Sequence, residues 1–202
     1  MNRYAMAYKP YGVLSIHHED PLGRETLTTM GIPTELHPAG RLDLDSEGLL
    51  VLMNDGQTLH RLTHPDHSHA KTYFVLVLGK PDKSALHLLR TGVEITLGTT
   101  RPADVEILAG PPPLPDFPKP LPASSKTSWL RIVLNEGMNR QIKRMTAAVG
   151  HPTVRLVRVA IGHLTLPADL EPGEWRDLNA VERKVLLTDV WPRGHPRSSA
   201  RR

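Results

Sequence analysis

Two stretches of this sequence bring reactive side chains to close spacing. The first is Gly40 to Gly56, GRLDLDSEGLLVLMNDG. Arg41, Asp43, Asp45, Ser46 and Glu47 crowd a short polar loop, and the apolar run Leu49-Leu50-Val51-Leu52-Met53 follows at once. A run that short, bounded by Gly48 and Asn54-Asp55-Gly56, predicts a strand buried on both faces. The loop is thereby fastened to a rigid core element, a common way to hold reactive groups. A carboxylate placed there can attack an electrophilic carbon or take a proton from one. The second stretch is the predicted helix Asn139 to Val149, stopped by Gly150. Its Ile142, Met145 and Val149 fall at i, i+3 and i+7 on a core-facing stripe, and Arg140, Lys143 and Arg144 occupy the adjoining side. Between Arg131 and Arg158 the basic residues are Arg131, Arg140, Lys143, Arg144, Arg155 and Arg158, against the single acid Glu136. Charge this one-sided predicts a polyanionic partner, most often nucleic acid.

Several other chemistries are excluded or disfavoured. The chain has 202 residues and no cysteine, so disulfides and thiolate metal sites are absent, in keeping with a reducing cytoplasm. No apolar run approaches a membrane span and Met1-Asn2-Arg3-Tyr4 opens no signal peptide, so a cytoplasmic protein without a membrane partner is expected. The sequence lacks a GxxxxGK[ST] phosphate loop, a dinucleotide glycine fingerprint and a GxSxG elbow. His60 and His64 stand at helical spacing, with His67 and His69 close by, but Pro65 breaks the helix and no metal site is expected. Asp43 and Asp45 could share Mg²⁺, as in a nuclease, yet alternate residues of an extended loop point to opposite sides.

The elements that must position these groups are legible in order. Strands are predicted at Ala5 to Lys9, ended by Pro10-Tyr11-Gly12, and at Lys71 to Leu78, Pro102 to Ala109, Trp129 to Leu134, Val154 to Val159 and His163 to Leu166. Asp55 caps a helix through Leu62, Asp82 caps Lys83 to Arg90, and Asn179 with Glu182 forms a capping box for a helix through Leu187. Thr26 to Met30 is predicted as one helical turn. The PPPLPDFPKPLP run within Gly110 to Ala123 cannot pair in a sheet and is expected as a surface insertion of polyproline character. The Pro-, Ser- and Arg-rich residues 191–202 are expected to form a disordered basic tail. Strands outnumber helices without strict alternation, which predicts an α+β fold on a mixed, largely antiparallel sheet.

With these blocks in place the chain resembles the RsuA-type rRNA pseudouridine synthases, most of all the branch typified by RluE, which lacks the N-terminal S4 module. Lys9-Pro10-Tyr11-Gly12-Val13 resembles the family's first motif, Gly40-Arg41-Leu42-Asp43 through Leu50 the second, and Lys71-Thr72-Tyr73 the strand carrying an active-site tyrosine. Glu136 to Met145 resembles the third motif, with Met138 where the family usually has Arg, and Val154 to Arg158 with Ile161-Gly162 the last. The resemblance implies one catalytic domain over residues 1–190, built as two lobes with RNA in the cleft between them. It implies isomerisation of uridine to pseudouridine in ribosomal RNA, 23S more than 16S, by a monomer that needs no cofactor and no metal. Asp43 takes the place of the catalytic aspartate, as nucleophile or as base on a sugar C–H. Lys143 takes the place of its cation, with Arg140 and Arg144 as the other candidates. Tyr73 would stack on the extruded uracil and Leu156 would form an apolar wall. Arg41, Lys9, Lys71, Arg140, Arg144, Arg155 and Arg158 would contact RNA. The alternatives are a non-catalytic RNA-binding or ribosome-assembly protein of the same fold, and a metal-dependent nuclease using Asp43 and Asp45.

Overall fold

The computed structural model describes residues 2–119, 121–122 and 124–192. In chain order these fold as β1 (Tyr4–Lys9), β2 (His37–Pro38), β3 (Glu47–Met53), α1 (Gly56–Thr63), β4 (Lys71–Leu78), α2 (Lys83–Thr91), β5 (Glu94–Ile95), β6 (Gly98–Thr99), β7 (Asp104–Ile107), β8 (Thr127–Leu134), α3 (Gln141–Ala148), β9 (Thr153–Ile161), β10 (Leu164–Thr165), β11 (Trp175–Asp177) and α4 (Ala180–Val190). The main sheet runs β11-β1-β3-β9-β4-β8-β7, with β2 added to β3 and β10 to β9. Its pairings are antiparallel except β3 with β9, which is parallel. No helix among the described residues is long and apolar enough to cross a membrane.

Every residue of β3 is buried, and the two-residue period sorts its side chains. Leu49, Val51 and Met53 face a cluster with Tyr4, Met6 and Tyr8 of β1, Leu62 of α1 and Leu186 and Val190 of α4. Leu50 and Leu52 face the opposite side, with Ala5, Ala7, Leu27, Ile32 and Leu36. The other half of the sheet has its own core. Val75 and Val77 of β4, Leu130, Ile132 and Leu134 of β8, Leu89 of α2 and Ile142 and Met145 of α3 form it.

The two halves meet at a narrow joint. β3 and β9 share only the pairs Glu47↔Val157 and Gly48↔Arg158. Gly48 has φ +106°, and a Cβ there would lie 2.3 Å from the Arg158 carbonyl oxygen. Only glycine allows the backbones this close.

The caps act as the sequence requires. Asp55 accepts from Thr58 N–H and Asp82 from Ala85 N–H, and the capping box of Asn179 with Glu182 is closed. Several element ends shift by a few residues, and two differences matter more. α3 begins at Gln141, not Asn139, because Arg140 takes a left-handed conformation at φ 52°. β11 is absent from the sequence expectation. Its three residues, Trp175-Arg176-Asp177, are held by β1 instead of by a pattern of their own. Of the expected tail, residues 193–202 lie outside the described residues. Trp191 is not tail. It packs against the α1/α4 core, and its indole N–H donates to Thr58 Oγ1 at 3.2 Å.

Candidate active site

The polar loop before β3 is a turn. Ser46 N–H donates to the Asp43 carbonyl at 3.1 Å. The loop is pinned from behind by the chain that leaves β1. Gly12 N–H donates to the Leu44 carbonyl at 2.8 Å, Lys9 Nζ to the Ser46 carbonyl at 2.8 Å, and Ser15 Oγ to the Leu42 carbonyl at 2.8 Å. The Lys9-Pro10-Tyr11-Gly12 motif is thus a clamp on the carboxylate loop. Lys9 is fully buried and cannot reach an RNA phosphate, which corrects its expected role. Burial brings its pKa down to about 7, although Glu47, Asp43 and Asp45 oppose the shift.

Because the loop turns, Asp43 and Asp45 do not point apart. Arg140 reaches both, with Nη1 3.8 Å from Asp43 Oδ2 and Nη2 2.9 Å from Asp45 Oδ2. Lys143 Nζ lies 2.6 Å from Asp45 Oδ1 and donates to the Asp45 carbonyl at 2.9 Å. Lys143 therefore pairs with Asp45, and the cation nearest Asp43 is Arg140. The cause lies in Arg140's left-handed backbone, which turns its guanidinium toward the loop. A non-glycine residue in that region is strained and is held by its surroundings. Here the Gln141 side chain accepts from Met138 N–H at 3.0 Å and donates to Glu136, which accepts from Arg101 N–H at 2.8 Å. Burial alone would raise the Asp45 pKa, but hydrogen bonds from Arg140 and Lys143 outweigh it and bring it to about 2. Burial lowers the Lys143 pKa, with Asp45 opposing. Arg140 is thus the one cation that meets both carboxylates among the described residues.

The remaining candidates divide by burial. Arg155 is 4% exposed, and Nε and Nη2 form a two-point pair with Glu47 at 2.8 and 2.9 Å. Arg158 is 2% exposed and donates from Nε to the Leu49 carbonyl at 2.9 Å across the joint. Neither presents its charge at the surface, although Arg158 Nη2 is buried without a hydrogen-bond partner, and both link β9 to β3. Their place in the β-branched and apolar run Val154 to Val159 marks a strand, but charge alone does not say whether it faces water. The roles of Glu47, Ser15 and Glu136 were missed for a related reason: Arg155, Leu42 and Arg101, which they meet, lie far along the chain. Lys71 is half-buried, donates to the His69 carbonyl at 3.2 Å and has its pKa lowered by burial and by Arg158. Arg41 is exposed on the loop and Arg144 half-exposed on α3. Tyr73 is half-buried against the apolar cluster that contains Leu156, and Met138 packs there too. Met138 thus contributes apolar contact where the resemblance would place a cation.

Residues 3–148 match the family described as RNA pseudouridylate synthase. The chain belongs to the RNA pseudouridylate synthase family. It is 50% identical over 178 residues to a ribosomal large subunit pseudouridine synthase E of Xanthomonas campestris pv. campestris, covering 86% of this chain and 95% of that one. It is 47% identical to the protein of the same name from Vibrio vulnificus, covering 85% of this chain and 73% of the other. A crystal structure of a pseudouridylate synthase superposes with a TM-score of 0.77 at 31% identity, covering 92% of this chain and 74% of that one. The mixed α+β sheet described above is the pseudouridine synthase fold. The Asp43–Asp45 loop and the cationic start of α3, which the sequence resemblance placed in two separate motifs, are in contact.

Proposed function

We propose that this pseudouridine synthase isomerises a uridine of large-subunit ribosomal RNA, with Asp43 as the reacting carboxylate. The observation that carries the assignment is the unequal holding of the two aspartates. Both carboxylate oxygens of Asp45 are engaged by Arg140 and Lys143, whereas the Asp43 carboxylate has one ion pair, to Arg140 at 3.8 Å. Asp45 is the strut and Asp43 the carboxylate left free to meet a ribose. In the reaction N1–C1′ breaks, the uracil turns, and C5 bonds to C1′. The C5 proton is lost and N1 gains one, so nothing is oxidised or added. Asp43 acts at the sugar, as nucleophile at C1′ or as base on a sugar C–H. Arg140 is the cation that faces it, 3.8 Å away. Reaching the base requires it to leave the stack. Tyr73 offers the ring on which the freed uracil rests, and Leu156 its apolar wall. Exposed Arg41 and half-exposed Arg144 contact phosphates. The large-subunit assignment rests on the names of the relatives. The enzyme acts in the cytoplasm as a monomer, on 23S rRNA.

The test is pseudouridine formation in an unmodified transcript of the source organism's large-subunit rRNA. Asp43→Asn is expected to lower the rate by a thousandfold or more, about 4 kcal/mol of barrier, with RNA affinity kept. Asp45→Asn is expected to retain measurable turnover. Activity of Asp43→Asn within about tenfold of wild type would reject the assignment. Wild-type binding without product would favour the non-catalytic reading.

A further inference from the structure

The Pro-rich connection between β7 and β8 starts and ends on the far edge of the sheet but does not stay there. Leu114 packs into the core of the opposite half, beneath β1 and β3. Arg155 Nη1 donates to the Pro115 carbonyl at 2.8 Å, and its guanidinium lies 5.1 Å from the Phe117 ring centre. The Phe117 edge meets Tyr11 at a centroid distance of 6.0 Å and an interplanar angle of 82°. The connection therefore crosses from one half of the sheet to the other. It encloses a cavity of about 500 Å³ lined by Tyr11, Asp45, Phe117, Lys119, Arg140 and Lys143, among others. Proline explains why so irregular a segment can hold a shape: its fixed φ leaves less entropy to lose.

We propose that this connection is a recognition wall of the active site, and that Phe117 and Lys119 hold a nucleotide of the substrate RNA adjacent to the target uridine. The reading rests on the function proposed above. The cavity combines two aromatic rings with three cations and opens beside the Asp43–Asp45 loop, so it is continuous with the chemistry. Rings serve stacked bases and cations serve phosphates, the combination that single-stranded RNA requires. Phe117 is half-buried and Lys119 exposed, so both remain able to meet a ligand. Arg155 explains how the wall keeps register with the reacting loop, because the guanidinium that holds Pro115 and Phe117 also holds Glu47.

The experiment measures steady-state kinetics and salt-dependent binding of Phe117→Ala, Phe117→Trp and Lys119→Gln on the unmodified large-subunit rRNA transcript. Phe117→Ala is expected to raise KM about tenfold with kcat within threefold, and Phe117→Trp to restore KM. Lys119→Gln is expected to lower the slope of log K against log salt by about one. Lys119 is exposed, so its variant decides the matter even if Phe117→Ala fails to fold. An unchanged KM in a folded Phe117→Ala, or an unchanged slope in Lys119→Gln, overturns the proposal. A wild type that makes no pseudouridine rejects the function itself, whereas an active wild type with indifferent variants rejects only the recognition wall.

Discussion

Lys9 shows how a single side chain can belong to a site without touching substrate. Its ammonium is buried under the carboxylate loop and satisfied by the Pro10 and Ser46 carbonyls. The unfolded chain keeps this proton up to about 10.5, the folded chain only to about 7. With the folded pKa depressed, the stability linked to this group is present above pH 10.5 and is lost as pH falls through 7. Lys9→Met carries no such linkage. Its stability relative to wild type is therefore expected to improve as pH is lowered from 10 to 7, by up to about 1.4 kcal/mol per pH unit. Urea unfolding of both proteins at several pH values measures the difference, and a flat difference would mean that Lys9 is not desolvated. The sequence presents Lys9, Lys71, Arg155 and Arg158 only as cations. It does not contain the direction in which each points, because that direction is set by neighbours such as Glu47, 108 residues from Arg155. Asp43, Asp45 and Arg140 stood out by type and local spacing, but their pairing did not: the sequence set the two aspartates apart and gave Lys143 to Asp43, whereas Arg140 reaches both and Lys143 holds Asp45.

Among the elements, the β3–β9 joint is the most constrained. Gly48 combines a positive φ with a backbone contact that admits no side chain. Gly48→Ala must distort the parallel pairing that carries Glu47 and Arg158. It is expected to cost about 3 kcal/mol or more, the sum of backbone strain and overpacking. Denaturant midpoints with an unchanged m-value would measure it, and a loss under 1 kcal/mol would show that the joint can open without penalty. The strands β3 and β4 were legible from composition and bounds, β3 as a short continuous apolar run between turn residues and β4 as a β-branched and aromatic one. The pairing of β3 with β9 was not, since nothing local in either segment names its partner. β11 was lost for a related reason. Three residues carry no period, and the strand exists because β1 offers an open edge.

At the scale of the whole molecule, burial of Arg155 and Arg158 redraws the positive face. Under the function proposed above, the set left to contact phosphate contracts to Arg41 of the loop, Arg144 of α3 and Lys119 of the β7–β8 connection. RNA binding should weaken with salt in proportion to these contacts. Arg144→Gln is expected to lower the slope of log K against log salt by about one, while Arg155→Gln, if folded, leaves it unchanged. Measured slopes that fall equally for both would return Arg155 to the surface. The fold class was legible from the excess of strands over helices, whereas the crossing of the Pro-rich connection was not. Its prolines exclude sheet pairing but do not say where the chain goes. The sheet order carries a further consequence, for synthesis on the ribosome. The stretch from β4 to β9 is contiguous, residues 71–161, and brings its own core with it. β1 is translated first, yet one of its two neighbours, Trp175–Asp177, is among the last strands made. The half of the sheet that includes the Asp43 loop is therefore completed last, after the other half has had time to form around its own hydrophobic cluster. The order of translation is reversed in the order of closure, and the edge of β1 stands open to chaperones or to wrong partners until the C-terminal strand arrives.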